Sequence, residues 1–356
     1  MKKVLQSLRP YTPEKPLSEL KSELGVSSLV RLSANENVYG TSPKVSEALL
    51  NWAAAGASQY PDSNASKLRA AVAKQFNLNQ SSLVFGNGLD EIIQLICRVI
   101  LEPDDEVLIP TPTFSEYQLH SSIEGAQIVP VELTADLDIS LEKLKAAVTE
   151  KTKLIWLCNP NNPTGSVLSR QQILKFASGL PTTTLLVVDE AYIDFTDTNE
   201  TLINDVEENE NLIVLRTLSK AYGLANFRVG FAVCPNSLVS VFQTVRLPYN
   251  LSTAAEVAAV AALADQSFLS AGVQKIKESR QQLMKFFTGL KIQFVPSQTN
   301  FIFLKVEDEN GLADELAKSG YLVRTGLLPG WLRITIGKPD DNLAIEKIVQ
   351  TFISGK

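Results

Sequence analysis

The chain has 356 residues, 45% of them apolar and 20% charged, with a formal charge of −6. That length allows a large domain and a smaller second one, and the acidic balance disfavours a broad nucleic-acid-binding face. The composition fits a soluble globular protein, with no apolar run long enough to cross a bilayer. The first residues, Met1 to Ser7, turn polar before any apolar stretch of the secretory type, so a cytoplasmic location is expected. Cys97, Cys158 and Cys234 are too few and too scattered for a disulfide framework or a metal-binding pair. His120 is the single histidine; it reads as a structural or surface residue, which leaves acid–base chemistry to lysine, tyrosine and carboxylates.

Through about Ser33 the chain is a proline-rich arm whose one regular signal lies at 17–24. Phe85-Gly86-Asn87-Gly88-Leu89-Asp90-Glu91 then leads into an apolar helix at 92–100. A helix start of this kind presents free backbone N–H groups and a positive dipole to a phosphate. Apolar, β-branched runs at 106–109, 127–131, 154–158, 185–188 and 212–215 predict strands, and 140–148 and 169–180 predict crossover helices. The alternation implies an α/β fold with a mainly parallel sheet covered on both faces, its ligand site beyond the carboxyl ends of the strands. The pattern changes near Leu247-Pro248-Tyr249. Helical signals at 253–265 and 268–290, a strand signal at 293–306, a helix at 311–319 and a strand at 331–336 predict a small α+β domain.

Three predicted strand ends carry polar residues whose types converge on one cofactor. The strand at 185–188 runs into Asp189-Glu190-Ala191-Tyr192. A buried carboxylate there can keep a pyridine nitrogen protonated, as pyridoxal phosphate requires to act as an electron sink, and Tyr192 can hydrogen-bond the ring oxygen. The strand at 212–215 runs into Arg216-Thr217-Leu218-Ser219-Lys220. Lys220 can form an imine with the cofactor and, once displaced, act as the base that moves a proton. Thr217, Ser219 and, two helical turns further on, Arg228 suit the cofactor phosphate. After 154–158 comes Asn159-Pro160-Asn161-Asn162-Pro163-Thr164-Gly165, a rigid turn able to aim an asparagine amide at the same ring oxygen.

With these motifs the sequence resembles the fold-type I pyridoxal-phosphate-dependent aminotransferases over nearly its whole length. Asn162, Asp189, Tyr192, Lys220 and Arg228 stand in the family's order. The resemblance implies further roles: Leu89 and Asp90 would donate backbone N–H groups to the phosphate, and Phe114 would stack on the ring. It implies a large cofactor domain at 36–247, a linker helix with a small domain at 248–356, and an arm at 1–35 that closes over substrate. Within the family, Leu32-Ser33-Ala34-Asn35-Glu36-Asn37-Val38-Tyr39-Gly40, Tyr60-Pro61-Asp62 and Arg246-Leu247-Pro248-Tyr249 resemble the branch that acts on histidinol phosphate. By that resemblance Tyr11, Asn35, Arg324 and Arg333 would meet the substrate, Tyr60 would reach the neighbouring site of a homodimer, and 2-oxoglutarate and glutamate would be the second substrate pair. The same residues also suit an aromatic or broad-range aminotransferase, an amino-acid-phosphate decarboxylase, or a non-catalytic cofactor-binding sensor.

Overall fold

A computed structural model of the chain describes residues 3–6 and 15–355. A two-residue strand, β1 (Val30–Arg31), precedes the large sheet. That sheet is built from β2 (Leu83–Asn87), β3 (Glu106–Thr111), β4 (Gln127–Glu132), β5 (Thr152–Cys158), β6 (Leu185–Asp189), β7 (Leu212–Thr217) and β8 (Val229–Val233), in the spatial order β2-β8-β7-β6-β5-β3-β4. β8 is antiparallel to both neighbours; every other pairing is parallel. The five anticipated strands all form, and β2 and β8 join them. Leu212 and Val214 bury into one core and Ile213 and Leu215 into the other, as both-face coverage of a parallel sheet demands.

Register decides where the polar ends meet. Cys158 pairs with Asp189 and Asp189 with Leu215, so β5, β6 and β7 end at one edge. β8 runs the opposite way and therefore begins at that edge, with Val229 opposite Asn87 and Gly230 opposite Thr217. The residue before it, Arg228, is thereby delivered to the carboxyl ends of its neighbours.

Gly86 and Gly230 face each other across β2 and β8. A Cβ on Gly86 would lie 2.5 Å from Cγ1 of Ile92, and one on Gly230 would lie 3.0 Å from the Leu89 backbone nitrogen. The two glycines let the start of helix Gly88–Ile100 press onto the sheet. Helix Thr253–Leu263 offers Ala255, Ala258, Ala259 and Ala262 to the same core as Val45, Leu68 and Val72, which come from helices Pro43–Ala55 and Ser66–Phe76.

The later strands, β9 (Phe294–Val295), β10 (Phe301–Lys305), β11 (Tyr321–Leu322), β12 (Arg324–Leu328) and β13 (Trp331–Thr335), make a four-stranded antiparallel sheet, β12-β13-β10-β9, and a parallel β1-β11 pair. The single strand expected at 293–306 is therefore two. Between them Ser297 donates to the Phe301 carbonyl at 2.6 Å, and the Gln298 amide donates to the Gly165 carbonyl at 2.8 Å. That interruption ties the small sheet to the 159–165 turn. Helices Gln266–Gly289, Glu309–Lys318 and Pro339–Ser354 cover this sheet through Ile276, Leu283, Leu312, Leu316, Ile345 and Val349.

Candidate active site

A cavity of about 170 Å³ opens at the carboxyl edge of β5, β6 and β7. Asp189 forms its floor, 3% exposed. One carboxylate oxygen accepts from the Tyr117 hydroxyl at 2.6 Å and the other from the Ala191 amide at 3.0 Å. Burial lifts its pKa to about 6 against the pull of those two donors. Lys220, at the end of the β7 turn, lines the wall, and its Nζ donates to the Ala34 carbonyl at 2.9 Å. Burial and the neighbouring Arg333 and Arg228 charges lower its pKa to about 8.

The opposite end of the cavity is made by the first turn of helix Gly88–Ile100, with Leu89 and Asp90, together with Thr217, Ser219 and Arg228. This helix carries no side-chain cap; the Gly88 amide donates to the Arg228 carbonyl at 2.8 Å, and the next first-turn N–H groups, of Leu89 and Asp90, are the ones left for an anion. Its first residue is Gly88 rather than one near 92, which places those N–H groups at the β2 turn. Arg228 is reached differently from the helical path expected: Ala225–Phe227 forms one 3-10 turn, and Arg228 is left-handed at φ 54°. Its guanidinium donates to Asp90 at 2.9 Å. Gly88, at φ +77°, lies beneath it; a Cβ there would sit 2.4 Å from Nη2 of Arg228.

A second cavity, of about 380 Å³, shares Phe114, Asn162, Tyr192 and Lys220 with the first. Arg333 enters it from β13, its guanidinium bonded to the Asn162 side-chain oxygen and, at 2.5 Å, to the Ser33 carbonyl. The Asn162 oxygen being an acceptor, its NH2 group remains to donate. Asn159 and Asn161 are instead committed to protein partners: Asn159 bonds Leu168, and Asn161 bonds Thr164 of its own turn and Pro112 and Thr113 of the segment after β3. Arg324, at the start of β12, faces the same cavity, and its guanidinium forms no hydrogen bond or ion pair among the described residues.

Asn35 also lines this cavity, but its side chain serves the protein. Its amide donates to the Tyr192 hydroxyl at 3.0 Å, and its oxygen accepts from Thr335 at 2.9 Å. The Tyr192 oxygen is thereby an acceptor, and its own proton is left for another partner. Tyr60 lines neither cavity. It is 83% exposed and stacks on Tyr249 at 4.9 Å in a groove of about 1100 Å³ that also includes Asn87 and Phe227. Tyr11 lies outside the described residues. His120 sits in helix Ser115–Glu124, 3.6 Å from Glu116, and lines neither cavity.

Two site residues escaped the sequence reading. Tyr117 contacts Asp189 across 72 positions of sequence; only its place three residues after Phe114, on one helical face, hinted at it. Arg31 lines the second cavity and pairs with Glu36 at 3.4 Å, and its short strand gave little signal.

A strand-end acid, a lowered-pKa lysine and a helix N-terminus around two joined cavities define a class. The chain belongs to the aminotransferases of class I and II, whose family model matches residues 27–348. It is 47% identical over 354 residues to a histidinol-phosphate aminotransferase of Lactiplantibacillus plantarum, with 99% of each chain covered. Over 359 residues it is 46% identical to the histidinol-phosphate aminotransferase of Limosilactobacillus fermentum, again with 99% of each covered. Among solved structures, histidinol-phosphate aminotransferase from Sinorhizobium meliloti in complex with pyridoxal-5'-phosphate matches with a TM-score of 0.89 at 29% identity, covering 99% of this chain and 98% of that one. An aspartate aminotransferase from Thermotoga maritima, at 22% identity and a TM-score of 0.84, shares the fold. The family's cofactor, pyridoxal phosphate, fits the smaller cavity. That cavity brings together a buried acid, a primary amine, two hydroxyls, a guanidinium and a helix start without a side-chain cap, the donor set such a cofactor needs.

Proposed function

We propose that this chain transfers an amino group between histidinol phosphate and 2-oxoglutarate, giving imidazole-acetol phosphate and glutamate, in histidine biosynthesis. The observation that carries this reading is the second cavity, in which Arg324 and Arg333 stand around the Lys220 face. A phosphorylated amino alcohol carries its phosphate on the carbon next to the reacting one, and a dicarboxylic keto acid has a carboxylate on the reacting carbon itself. Both therefore present an oxyanion near it, and guanidinium forks take either kind. The relatives' names support the same choice of substrate.

Pyridoxal phosphate, when bound, supplies the aldehyde carbon that takes the amino group and a ring that withdraws electrons. In this reading Asp189 holds the proton on the ring nitrogen, and Tyr192 and Asn162 donate to the ring oxygen. Leu89, Asp90, Thr217, Ser219 and Arg228 hold the phosphate, and Phe114 stacks on the ring. Nζ of Lys220 is the attachment point and afterwards the proton carrier; a pKa near 8 lets it take and release a proton near neutral pH. Arg324 and Arg333 bind the substrate oxyanion, Asn35 orients Tyr192, and Tyr11 closes over the substrate.

The reading also includes a homodimer. Exposed Tyr60 stands in a groove beside Asn87, the residue preceding the phosphate-facing helix, and would serve the partner's cofactor phosphate. It divides the chain into the closing arm 1–35, the cofactor unit 36–247 and the linker helix with small domain 248–356. Its setting is the cytoplasm, where the three buried free thiols stay reduced.

The test is a half-reaction. Cofactor-loaded protein is mixed separately with histidinol phosphate, phenylalanine and glutamate, and its visible absorbance is followed. Fast loss with histidinol phosphate at low concentration is the expected result; loss mainly with phenylalanine would replace the substrate assignment.

A further inference from the structure

Asp189 is enclosed except on the face that floors the smaller cavity. Tyr117 faces it from helix Ser115–Glu124, Cys158 from the end of β5, the Ala191 amide from its own loop, and Lys220 and Asp90 act at longer range. The two donors that reach its oxygens are the Ala191 amide and the Tyr117 hydroxyl, the latter at 2.6 Å. The Tyr117 ring is clamped: it stacks on Trp156 at 4.8 Å and 7°, and meets Phe114 edge-on at 5.5 Å. It has no exposed surface and lines the smaller cavity beside Asp189.

We propose that Tyr117 is a positioning residue which, by donating its hydroxyl proton to Asp189, keeps that carboxylate anionic and the proton on the cofactor's ring nitrogen. The inference rests on pyridoxal phosphate binding at this site and not on the choice of substrate. A carboxylate and a pyridine nitrogen share one proton, and whichever is more basic keeps it. A phenol bonded to the carboxylate makes it less basic and leaves the proton on the ring. Burial drives the phenol's own pKa well above its usual value, so Tyr117 remains a donor throughout the working pH range. Phe114 and Tyr117 lie on one turn of one helix start. A single short segment therefore provides a wall for the ring and sets the acidity of its partner.

The test uses Tyr117→Phe, which keeps the stacked ring and removes the donor. Apoprotein titrated with pyridoxal phosphate should bind on the order of 10-fold more weakly, the scale of one lost charge-assisted hydrogen bond. In the loaded protein, a more basic Asp189 draws the proton off the ring, which leaves the Lys220-linked nitrogen more basic. The pH midpoint of the visible band should therefore move up. Replacing Tyr117 with 3,5-difluorotyrosine, a stronger donor of nearly the same shape, should move the midpoint down and decides the matter if the phenylalanine variant folds poorly. In an Asp189→Asn background Tyr117→Phe should change neither quantity. Wild-type affinity and an unmoved midpoint in both Tyr117 variants would overturn the inference while leaving the cofactor site intact. A wild-type protein that takes up no pyridoxal phosphate would overturn the inference together with the cofactor reading itself.

Discussion

Replacing Gly88 by alanine tests the phosphate end of the cavity through two separable effects. Gly88 has φ +77°, where an alanine costs about 1–2 kcal/mol of stability. The added Cβ would also lie 2.4 Å from Nη2 and 3.0 Å from Cζ of Arg228, so the guanidinium must leave its place over the helix start. Its pair with Asp90 is about half exposed on both sides, and breaking that pair costs little stability. What is lost is one charged donor to the phosphate. At about 1.5–3 kcal/mol for a hydrogen bond to a charged group, the pyridoxal phosphate dissociation constant should rise roughly 10- to 150-fold. Gly330→Ala is the control, because Gly330 has the same φ of +77° but its nearest neighbour, the Val306 carbonyl, is 3.8 Å away. Thermal melts of the two apoproteins should show similar losses, and fluorescence titration with pyridoxal phosphate should separate them. Equal cofactor affinity in both variants would refute the placement of Arg228 on the phosphate.

The lowered Lys220 pKa implies that the rate of cofactor capture by apoprotein rises with pH and levels off above about 8; a midpoint near 10.5 in stopped-flow absorbance would contradict it. Arg324→Ala should raise KM for the phosphorylated substrate roughly 10- to 100-fold with little change in melting temperature, because its guanidinium has no bonds to lose among the described residues. Arg333→Ala, which also releases Asn162 and the Ser33 carbonyl, should lower kcat as well; equal kinetics for the two variants would refute that distinction. Mixing Lys220→Ala and Tyr60→Ala proteins under subunit exchange should restore activity, since one mixed site then carries both residues. Mixed dimers as inactive as either parent would show that Tyr60 does not cross between subunits.

What the sequence revealed depended on how local each signal was. The runs at 154–158 and 185–188 announce themselves because strands buried on both faces are apolar at every position. β2 and β8 did not, since each is broken by a glycine, and those glycines exist for the approach of helix Gly88–Ile100. Missing β8 had a consequence: without its antiparallel course, Arg228 was expected two helical turns beyond Lys220 when it is the residue before a strand. Lys220 and Asp189 were legible as strand-end chemistry. Tyr117 and the Asn35–Tyr192 bond depend on partners 72 and 157 positions away, and no local pattern reports such pairings. Among three asparagines in the 159–165 turn, residue types alone left the choice open and the family resemblance picked Asn162; the bonds of Asn159 to Leu168 and of Asn161 to Pro112 leave Asn162 at the cavities.

The most direct test of the account is to find where the cofactor is attached. Borohydride reduction of the pyridoxal-phosphate-loaded protein would fix the linkage, and peptide mass spectrometry would locate it. The account predicts a phosphopyridoxyl group on Lys220 and on no other lysine. A label elsewhere, or none at all on a protein that turns over substrate, would contradict it.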